Sequence, residues 1–440
     1  MHFKKYPKYK DSGVEWLGKI PEKWKTTQLR RIAKIVNGST PKTLYKNYWD
    51  GNINWFTPED LGKCCSKFIE NPKRKITKEG YKSCGTKLVP ENSLILSTRA
   101  PIGHFALLND DACFNQGCKG LIFKKELFPS YYYYYLLSVK NALESWGQGS
   151  TFTELKRANL ASFFALYPDI NDQKKISDFL DQKTFKIDQL IQKNKKLIEL
   201  LKEKRQAIIT QAVTKGLNQN VEMKNSGIEW LGKIPQDWKI KRLRYYFNLH
   251  SSGVWGEEQK DNNNDMVCVR VADFDFDRFS IKKDNLTIRN IPSSKFSKIL
   301  ENGDILLEKS GGGEKQPVGR AVKFNLGKKA VCSNFIERLE INNNYSPSYV
   351  SYLLGCLYFR SLNVRSIRQT TGIQNLDMYS YFCEGVPFPF LKMQQTIANF
   401  LDQKTAKIDV LVGKIGNQIE KLQEYRQALI SNVVTGKVKV

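Results

Sequence analysis

The sequence predicts an α+β protein that contains two similar domains and two long helices, because the chain repeats itself. Two long stretches, Gln173 to Gly216 and Gln394 to Lys437, are near copies of each other. Two short stretches, at 12–21 and 226–235, are also near copies. The segments between these repeats share one order of strand-like and helix-like pieces. We therefore expect a single architectural plan that is used twice along the chain.

The two long copies are predicted to be helices that pair with each other. No proline interrupts either copy, and apolar residues recur at alternating spacings of three and four. The copies align without a gap, so that Asp188 matches Asp409 and Arg205 matches Arg426. A narrow apolar stripe of this kind is typical of a seam for one partner helix. We expect an antiparallel coiled coil with pseudo-twofold symmetry, and two separate amphipathic helices are the alternative.

The predicted seam uses equivalent positions in both copies. In the first copy it consists of Ile187, Leu190, Asn194, Leu197, Leu201, Lys204 and Ile208. In the second copy it consists of Ile408, Leu411, Ile415, Gln418, Leu422, Tyr425 and Leu429. We expect the repeated charged residues to form an outer surface that can receive a partner protein. These residues are Asp181, Lys183, Asp188 and Arg205, with Asp402, Lys404, Asp409 and Arg426 as their repeats.

Each half of the chain opens with the same short border. Residues 12–21 read SGVEWLGKIP and residues 226–235 read SGIEWLGKIP, and a tryptophan follows each border, at Trp24 and Trp238. The borders lie 214 residues apart whereas the helices lie 221 apart, so the second half carries seven additional residues between its border and its helix. We expect the apolar border residues to fasten the border to its own half of the chain.

The block between each border and its helix contains the same succession of pieces. A short apolar strand leads into a polar loop, a second strand follows, and a helix then begins at a proline, which suits a first turn because that position needs no amide hydrogen. The predicted strands are Leu94–Leu96, Leu121–Phe123, Ile305–Leu307 and Leu339–Ile341, and the predicted helices are Pro129–Leu143 and Pro347–Leu362. A loop rich in Arg, Gln, Thr and Gly comes next, at 146–160 and 365–380. These residue types reach base edges or phosphates, and a solvated loop is the alternative for any single residue.

These repeats divide the chain into four predicted parts. The parts are a border with the first domain at 1–170, the first long helix at 171–217, a border with the second domain at 218–390, and the second long helix at 391–440. We expect the two domains to share a fold and to differ in their surfaces.

The charge of the chain points to a polyanionic partner. The 440 residues carry a formal net charge of +26. The stretch 174–215 holds 11 basic and 5 acidic residues and the stretch 395–440 holds 7 and 4, which leaves a net +17 outside the helices. An excess of this size is typical of proteins that bind nucleic acid. An anionic membrane surface is the alternative, but the basic residues are spread through folded sequence and no basic amphipathic tail stands out.

Composition and motifs argue against several other classes of protein. The nine cysteines form no C-x-x-C pair and there are only three histidines, so we expect reduced thiols and no metal site. The GGGEK at 311–315 lacks the spacing of a phosphate-binding loop, and no dinucleotide fingerprint, H-E-x-x-H motif or nucleophile elbow is present. We therefore expect no catalytic residue. The sequence shows no signal peptide and no apolar run of membrane-spanning length, so we expect a cytoplasmic protein.

Over its whole length the chain resembles the specificity subunit of type I restriction-modification systems. The resemblance rests on the duplicated FLDQKTxKID…RQAxI helices, the paired SGxEWLGKIP borders and three further segments. These segments are GSTPKTLYKNYWDGNINWFTPEDL at 38–61, LILSTRAPIG at 94–103 and TTGIQNL at 370–376. The segment GSTFTEL at 149–155 of the first domain matches TTGIQNL only loosely.

The resemblance implies two target recognition domains, Glu22–Tyr167 and Gln236–Phe390, each of which reads one half of a split DNA site. It implies that the paired helices separate the domains and dock two modification (methyltransferase) subunits, and that restriction (translocase and nuclease) subunits complete the complex. S-adenosylmethionine, ATP and Mg are then expected on the partner subunits, and no cofactor is expected on this chain. The alternative from another class is an autonomous sequence-specific DNA-binding regulator. An intrinsic nuclease or methyltransferase requires motifs that the chain lacks.

The candidate DNA-binding residues are basic, amide and hydroxyl side chains of the paired loops and strand ends. In the first domain they are Arg99, His104, Gln148 and Thr151. In the second domain they are Lys309, Lys315, Arg320, Arg365, Arg368, Gln369, Thr370 and Gln374. We expect each set to determine the sequence of one half-site.

Overall fold

The structure is a computed structural model that describes residues 4–99, 101–147, 154–218, 220–370 and 372–440, with only the backbone of residue 370 described. The chain divides into two compact units. Unit 1 comprises residues 1–194 and 417–440, and unit 2 comprises residues 195–416. Among the described residues, no helix has both the length and the apolar character needed to span a membrane.

The described residues of unit 1 form twelve strands before the first long helix. They are β1 (Tyr9–Asp11), β2 (Lys19–Pro21), β3 (Lys25–Gln28), β4 (Ala33–Asn37), β5 (Trp49–Phe56), β6 (Phe68–Ile69), β7 (Arg74–Ile76), β8 (Leu94–Thr98), β9 (Ile102–Leu108), β10 (Ala112–Phe114), β11 (Cys118–Phe123) and β12 (Phe164–Tyr167). Its shorter helices are α1 (Leu29–Ile32), α2 (Pro58–Lys63), α3 (Lys78–Lys82), α4 (Pro129–Ser138), α5 (Lys140–Ser145) and α6 (Arg157–Ser162), with a 3₁₀ turn at Lys46–Tyr48.

The two largest sheets of unit 1 are accompanied in the described residues by two two-stranded sheets, β1-β2 and β12-β3. The larger has the strand order β4-β11-β8-β9-β6 and the smaller has the order β10-β5-β7. Strand β8, with the sequence LILST, is buried at all five positions and lies between β11 and β9. A continuous apolar run of this kind is typical of a strand that is covered on both faces. The strand predicted at Leu94–Leu96 therefore forms the middle of the larger sheet.

The five consecutive tyrosines of helix α4, Tyr131 to Tyr135, are all buried, at no more than 7% exposure. A buried hydroxyl group usually has a hydrogen-bond partner. Two of these tyrosines find their partners on the long helices of unit 1. The hydroxyl of Tyr131 donates to the carbonyl of Val434 at 2.9 Å. That of Tyr134 donates to the carboxylate of Asp181 at 2.6 Å. Helix α4 is therefore attached to both long helices.

The second half of the chain repeats much of this order of elements. The strands are β13 (Met223–Asn225), β14 (Lys233–Pro235), β15 (Lys239–Arg242), β16 (Phe247–Ser252), β17 (Asp265–Val269), β18 (Phe274–Asp275), β19 (Ser280–Ile281), β20 (Ile288–Asn290), β21 (Ile305–Glu308), β22 (Ala321–Lys323), β23 (Ala330–Cys332), β24 (Ile336–Ile341), β25 (Ile367–Thr370), β26 (Ile373–Leu376) and β27 (Gly385–Phe388). The shorter helices are α8 (Pro347–Phe359) and α9 (Met378–Phe382), with 3₁₀ segments at Leu243–Tyr246, Val271–Asp273, Ser293–Lys298 and Leu362–Ser366.

Unit 2 repeats the sheet topology of unit 1, except that the described residues of its larger sheet include no counterpart of the edge strand β6. Its larger sheet has the order β16-β24-β21-β22 and its smaller sheet the order β20-β17-β23. In both units the smaller sheet contains one parallel pair, β10 with β5 and β23 with β17. The hydroxyl of Tyr349 donates to the carbonyl of Val213 and that of Tyr352 to Asp402, as their counterparts do in unit 1. The prediction of two α+β domains with one fold is confirmed.

The long helices are α7 (Ile170–Lys215) and α10 (Leu391–Val434), which confirms the predicted pair of repeated helices. The fourth residue of each helix is a glutamine that joins the helix to its own domain. The amide of Gln173 donates to the carbonyl of Pro168 at 2.9 Å and accepts from the backbone N–H of Phe128. Gln394 makes the same two bonds, to Pro389 and from Ser346. A repeated residue therefore makes a repeated contact.

The buried seam of the long helices differs from the predicted seam at alternate positions. Ile187 and Ile191 are each 6% exposed, whereas Leu190 is 49% exposed. The buried and half-buried seam positions are Ile187, Ile191, Asn194, Ile198, Leu201, Arg205 and Ile208 in α7, and Ile408, Val412, Ile415, Ile419, Leu422, Arg426 and Leu429 in α10. The predicted seam was wrong at the exposed positions, which are Leu190, Leu197, Lys204, Leu411, Gln418 and Tyr425. The buried seam also alternates between spacings of three and four, but it starts with a step of four, from Ile187 to Ile191, where the predicted seam starts with a step of three.

Candidate nucleic-acid interface

The loop that follows β21 in unit 2 is held by an internal ion pair. Arg320 donates from Nε and Nη2 to the two carboxylate oxygens of Glu308, at 2.8 and 3.1 Å. Both side chains are largely buried, at 15% and 3% exposure. Lys309 in the same loop is 2.8 Å from the buried carboxylate of Glu337. Of the three predicted cations here, only Lys315 is exposed, and Lys309 and Arg320 are half-buried.

The hairpin of β25 and β26 lies against this loop. Its turn contains Gly372, whose φ of +83° lies in the left-handed region that favours glycine. The backbone N–H of Leu376 donates to the carbonyl of Lys309 at 2.7 Å, and Gly311 donates to the carbonyl of Gln374. The side chain of Gln374 is 7% exposed and accepts from the N–H of Val318 at 3.4 Å. The loop and the hairpin therefore form one joined surface.

The remaining predicted residues of unit 2 lie on the exposed part of this hairpin and beside it. Arg365 and Gln369 are exposed. Arg368 is 78% exposed and forms an ion pair with Asp377. Thr370 belongs to β25, and its side chain lies outside the described residues. The structure brings the predicted residues together, but it places Arg320 and Gln374 inside the surface, and a DNA contact for each residue stays a prediction.

Unit 1 has an equivalent surface at the end of β8. The backbone N–H of Leu155 donates to the carbonyl of Thr98 at 3.0 Å, in the way that Leu376 bonds to Lys309 in unit 2. Next to this contact, Arg99 is exposed and donates to Glu154 at 2.8 Å. The predicted residues Gln148 and Thr151 lie outside the described residues. GSTFTEL matches TTGIQNL only loosely in sequence, but the final leucine of each segment makes the same backbone hydrogen bond to a strand end.

Two basic groups of unit 1 have altered acidity. Burial lowers the pKa of the Lys119 ammonium, which lies 3.8 Å from Glu154. Burial and the nearby Lys140 lower the pKa of His104, which lies half-buried in β9. Both shifts favour the neutral form. Lys119 was not among the predicted residues, because a lysine within an apolar strand gives no sequence signal of its surroundings.

The repeated charged residues of the long helices make internal contacts. Arg426 donates to both carboxylate oxygens of Asp188 within unit 1. Within unit 2, Arg205 Nη1 lies 3.5 Å from Asp409 Oδ1. Residue numbers rise along α7 from one pair to the other while they fall along α10, so the helices run antiparallel. These four residues connect the two helices, which corrects their predicted place on a free outer surface.

The two aspartates assigned to a partner surface also bond within their own units. Asp181 accepts from Lys67 at 2.6 Å in addition to its bond from Tyr134, and Asp402 accepts from Tyr352 at 2.7 Å. A role for Asp181 and Asp402 toward a partner stays a prediction. Within the described ranges, no group of histidine, cysteine and acidic residues could hold a metal ion.

Sequence reasoning missed a cleft in unit 2. The cleft has a volume of about 540 Å³. It is lined by Trp255, Arg270, Val271, Ala272, Glu308, Ser310, Gly311, Ser333, Asn334 and Phe335. A repeated spacing was the available signal, because Thr57 and Asp60 follow strand β5 just as Arg270 and Asp273 follow β17.

Comparison with known proteins gives one family. A profile of the type I restriction modification DNA specificity domain matches residues 21–202 and 235–421. The specificity subunit of the type I restriction enzyme MjaIX of Methanocaldococcus jannaschii is 26% identical, over 96% of this chain and 95% of the relative. The StySPI specificity subunit of Salmonella potsdam is 24% identical, over 96% of this chain and 90% of the relative. The match extends over both halves of the chain.

Solved structures share the fold. A chain from work on complex assembly and conformational transition of the type I R-M system aligns with a TM-score of 0.71 at 14% identity, over 94% of this chain and 98% of that one. The HsdS subunit from Thermoanaerobacter tengcongensis aligns with a TM-score of 0.52 at 15% identity, over 95% of this chain and 98% of that one. Because the family profile covers most of both halves, the protein belongs to the type I restriction modification DNA specificity family.

Proposed function

We propose that this chain selects the DNA sequence for a type I restriction-modification complex and that each unit reads one half of a split site. The repeated attachment of a polar loop to a strand end carries the proposal. Leu155 is bonded to Thr98 in unit 1 and Leu376 to Lys309 in unit 2, so one chain offers two similar polar surfaces. The net charge of +26 supports contact with the phosphate backbone.

Membership of the family makes the chain a non-catalytic subunit. Its relatives are named as subunits of type I restriction enzymes, and a structural relative comes from work on the assembly of such a system. We therefore propose two modification subunits and the restriction subunits as partners in the cytoplasm. In this proposal S-adenosylmethionine, ATP and Mg are bound by those partners.

A repeated apolar feature supports the docking of two equal partners. Leu190 in α7 and Leu411 in α10 occupy equivalent positions of the repeat and are 49% and 48% exposed. Both lie outside the buried seam of their helix. Exposed apolar side chains at matched positions are suited to a protein interface.

The test is to produce the chain in cells with its cognate modification subunit and to map methylated adenines across the genome. We expect a split sequence motif that disappears when either protein is left out. Exchange of residues 236–390 for the same block of another family member should change one half of the motif only. Methylation without this chain, or a change in both halves, would contradict the proposal. Specific DNA binding without any dependence of methylation on the chain would indicate an autonomous regulator instead.

A further inference from the structure

The cleft in unit 2 combines aromatic rings with polar groups. Trp255 is 40% exposed and Phe335 is 45% exposed, and both line the cleft. Ser333 lines it as well, and its buried Oγ has no hydrogen-bond partner within the part of the chain that the structure describes. In the major groove a base pair presents polar donors and acceptors beside apolar carbon and methyl groups. The lining of this cleft matches both properties.

Arg270 enters this cleft as a side chain that is already fixed. Its Nε and Nη2 donate to the two carboxylate oxygens of Asp273, at 3.2 and 2.8 Å. Asp273 is itself held, because it is 7% exposed and accepts from the backbone N–H of Arg270 at 2.8 Å. The Arg270 side chain remains 39% exposed, and its Nη1 makes no hydrogen bond among the described residues. The end of the guanidinium is therefore available to a ligand.

The same backbone arrangement in unit 1 carries a different side chain. After β5, Asp60 accepts from the backbone N–H of Thr57 at 2.8 Å, as Asp273 accepts from Arg270 after β17. The aspartate therefore fixes the backbone in both units, and the residue three positions before it is free to differ. A position with a fixed backbone and a variable side chain is suited to setting specificity.

The donors of Arg270 select among the four bases. In the major groove guanine presents two adjacent acceptors, O6 and N7, which match the two ends of a guanidinium. Adenine and cytosine each present an amino donor, which conflicts with an arginine, and thymine presents a single acceptor beside its methyl group. Because Asp273 has already ordered Arg270, little conformational entropy is lost on contact.

We propose that Arg270, held by Asp273, reads a guanine in the half-site that unit 2 recognises. This inference rests on the proposed function, since it requires that unit 2 contacts one half of a split site. The surrounding Trp255 and Phe335 cover the contact and exclude water from it.

The experiment uses the complete complex of this chain with its cognate modification subunit. The wild-type methylation motif is determined first, and duplexes are then made in which each pair of the motif is replaced in turn. Binding of the duplex panel is compared for the wild type and for Arg270→Thr, Arg270→Lys and Asp273→Asn. Threonine preserves the local backbone because Thr57 occupies this position in unit 1. Arg278→Thr serves as the control, since Arg278 is 65% exposed, also pairs with a nearby aspartate, Asp275, and is not part of the cleft lining.

We expect Arg270→Thr to lose about 5- to 150-fold of discrimination at a single G·C pair, which corresponds to about 1–3 kcal/mol for a two-point base contact. Arg270→Lys should keep the general affinity but not the discrimination, because lysine lacks the planar fork. Asp273→Asn should lose part of the discrimination, and Arg278→Thr none. The other half-site provides an internal measure of correct folding, because it should be read as in the wild type.

Several results would overturn the inference. Uniform weakening on every duplex, with rescue by lysine, would assign Arg270 to a phosphate. The guanine contact would be excluded if the half-site recognised by unit 2 contained no G·C pair. It would also be excluded if Arg270→Thr discriminated among the duplexes as the wild type does. A change of base preference in the other half-site would show that Arg270 does not act on the half-site that unit 2 recognises. Failure of the proposed function is separate, because the wild-type complex would then give no split motif at the first step.

Discussion

Arg426 donates hydrogen bonds to both carboxylate oxygens of Asp188, at 2.9 and 3.2 Å, and Arg205 and Asp409 repeat this pair with the helices exchanged. The two pairs differ in their surroundings. The Arg426 side chain is 28% exposed, but that of Arg205 is 7% exposed and its Nε has no partner among the described residues. Loss of the carboxylate should therefore cost more stability in the Arg205–Asp409 pair than in the Arg426–Asp188 pair, although the two pairs occupy equivalent positions in the sequence.

We predict that Asp409→Ala destabilises the protein more than Asp188→Ala does. Removal of Asp409 leaves a buried guanidinium without its carboxylate, which costs about 3–5 kcal/mol, whereas loss of an exposed pair costs about 0–1 kcal/mol. Burial raises the pKa of Asp409 although Arg205 lowers it, so release of the buried carboxylate offsets part of the cost and we expect the lower end of the range.

Urea unfolding followed by helical circular dichroism measures this difference. The double variant Arg205→Met with Asp409→Leu is the control, because replacing a buried pair by apolar residues is often neutral. Equal losses in Asp188→Ala and Asp409→Ala would show that burial does not separate the two pairs.

The repeats predicted the long helices, the common topology and the family resemblance, because each depends on patterns that recur in the sequence. The helix seam was only half predicted. Leu190 and Ile191 are both apolar neighbours of Ile187 at helical spacing, and the correct frame places Arg205 in the seam. Periodicity disfavours a buried arginine, since the sequence does not show that Asp409 will lie beside it.

Residues of the candidate site were predicted by type, and type does not give burial. Arg320 and Gln374 belong to polar, glycine-containing stretches that sequence reasoning assigns to the surface. In the fold, Glu308 at the end of β21 binds Arg320, and the amide of Gln374 accepts from the backbone of Val318. These partners lie 12 and 56 residues apart along the chain, and neither contact follows from a sequence pattern. The same holds for Arg270, whose cleft is formed by separate strand ends.

The glutamines at positions 369 and 374 should separate structure from recognition. Gln374→Ala is expected to destabilise unit 2 by about 1–3 kcal/mol, because it leaves a buried backbone N–H without its acceptor. Gln369→Ala should leave stability unchanged and alter discrimination at the half-site of unit 2 only. Thermal unfolding and a duplex panel, applied to both variants, test this. A Gln374→Ala variant of normal stability with altered base preference would reverse the two roles.

Binding of duplex DNA should depend strongly on salt. The net +17 outside the long helices predicts many phosphate contacts, and each one releases counterions. A protein with about 6–10 such contacts loses about 10³- to 10⁵-fold in affinity between about 50 and 200 mM salt. Affinity for a single duplex is measured at several salt concentrations, with the Arg270→Thr variant beside the wild type. A flat response would exclude electrostatic contact with the backbone.

Acidification should destabilise unit 1 through His104. Burial lowers the pKa of His104 below its ordinary value of 6.5, so the folded state favours the neutral ring. Its contribution to stability is therefore complete above pH 6.5 and is lost as the pH falls through 6.5 toward the lowered pKa. The unfolding midpoint of the wild type should fall more between about pH 8 and pH 5 than that of His104→Gln. Parallel curves for the two proteins would show that His104 does not contribute.

The long helices are predicted to set the distance between the two half-sites. The copies repeat without a gap, and α7 has 46 residues where α10 has 44, so both copies are long enough to serve as a spacer. An insertion in α7 between Lys193 and Lys196 changes the length of one helix without altering any candidate DNA-binding residue. Four inserted residues add about 6 Å, at about 1.5 Å for each residue. Base pairs are spaced by about 3.4 Å, so the preferred spacer should lengthen by about one or two base pairs.

The readout is the methylation motif of cells that carry the insertion variant with the cognate modification subunit. Both half-site sequences should remain unchanged while the number of unspecified bases between them increases. Four residues exceed one helical turn of 3.6 residues by a small rotation, so the seam that contains Ile187 and Ile198 stays nearly in phase. A two-residue insertion at the same place is the matched control, because it turns the seam by more than half a circle and should abolish methylation. An active four-residue variant with an unchanged spacer would show that the helices do not determine the distance.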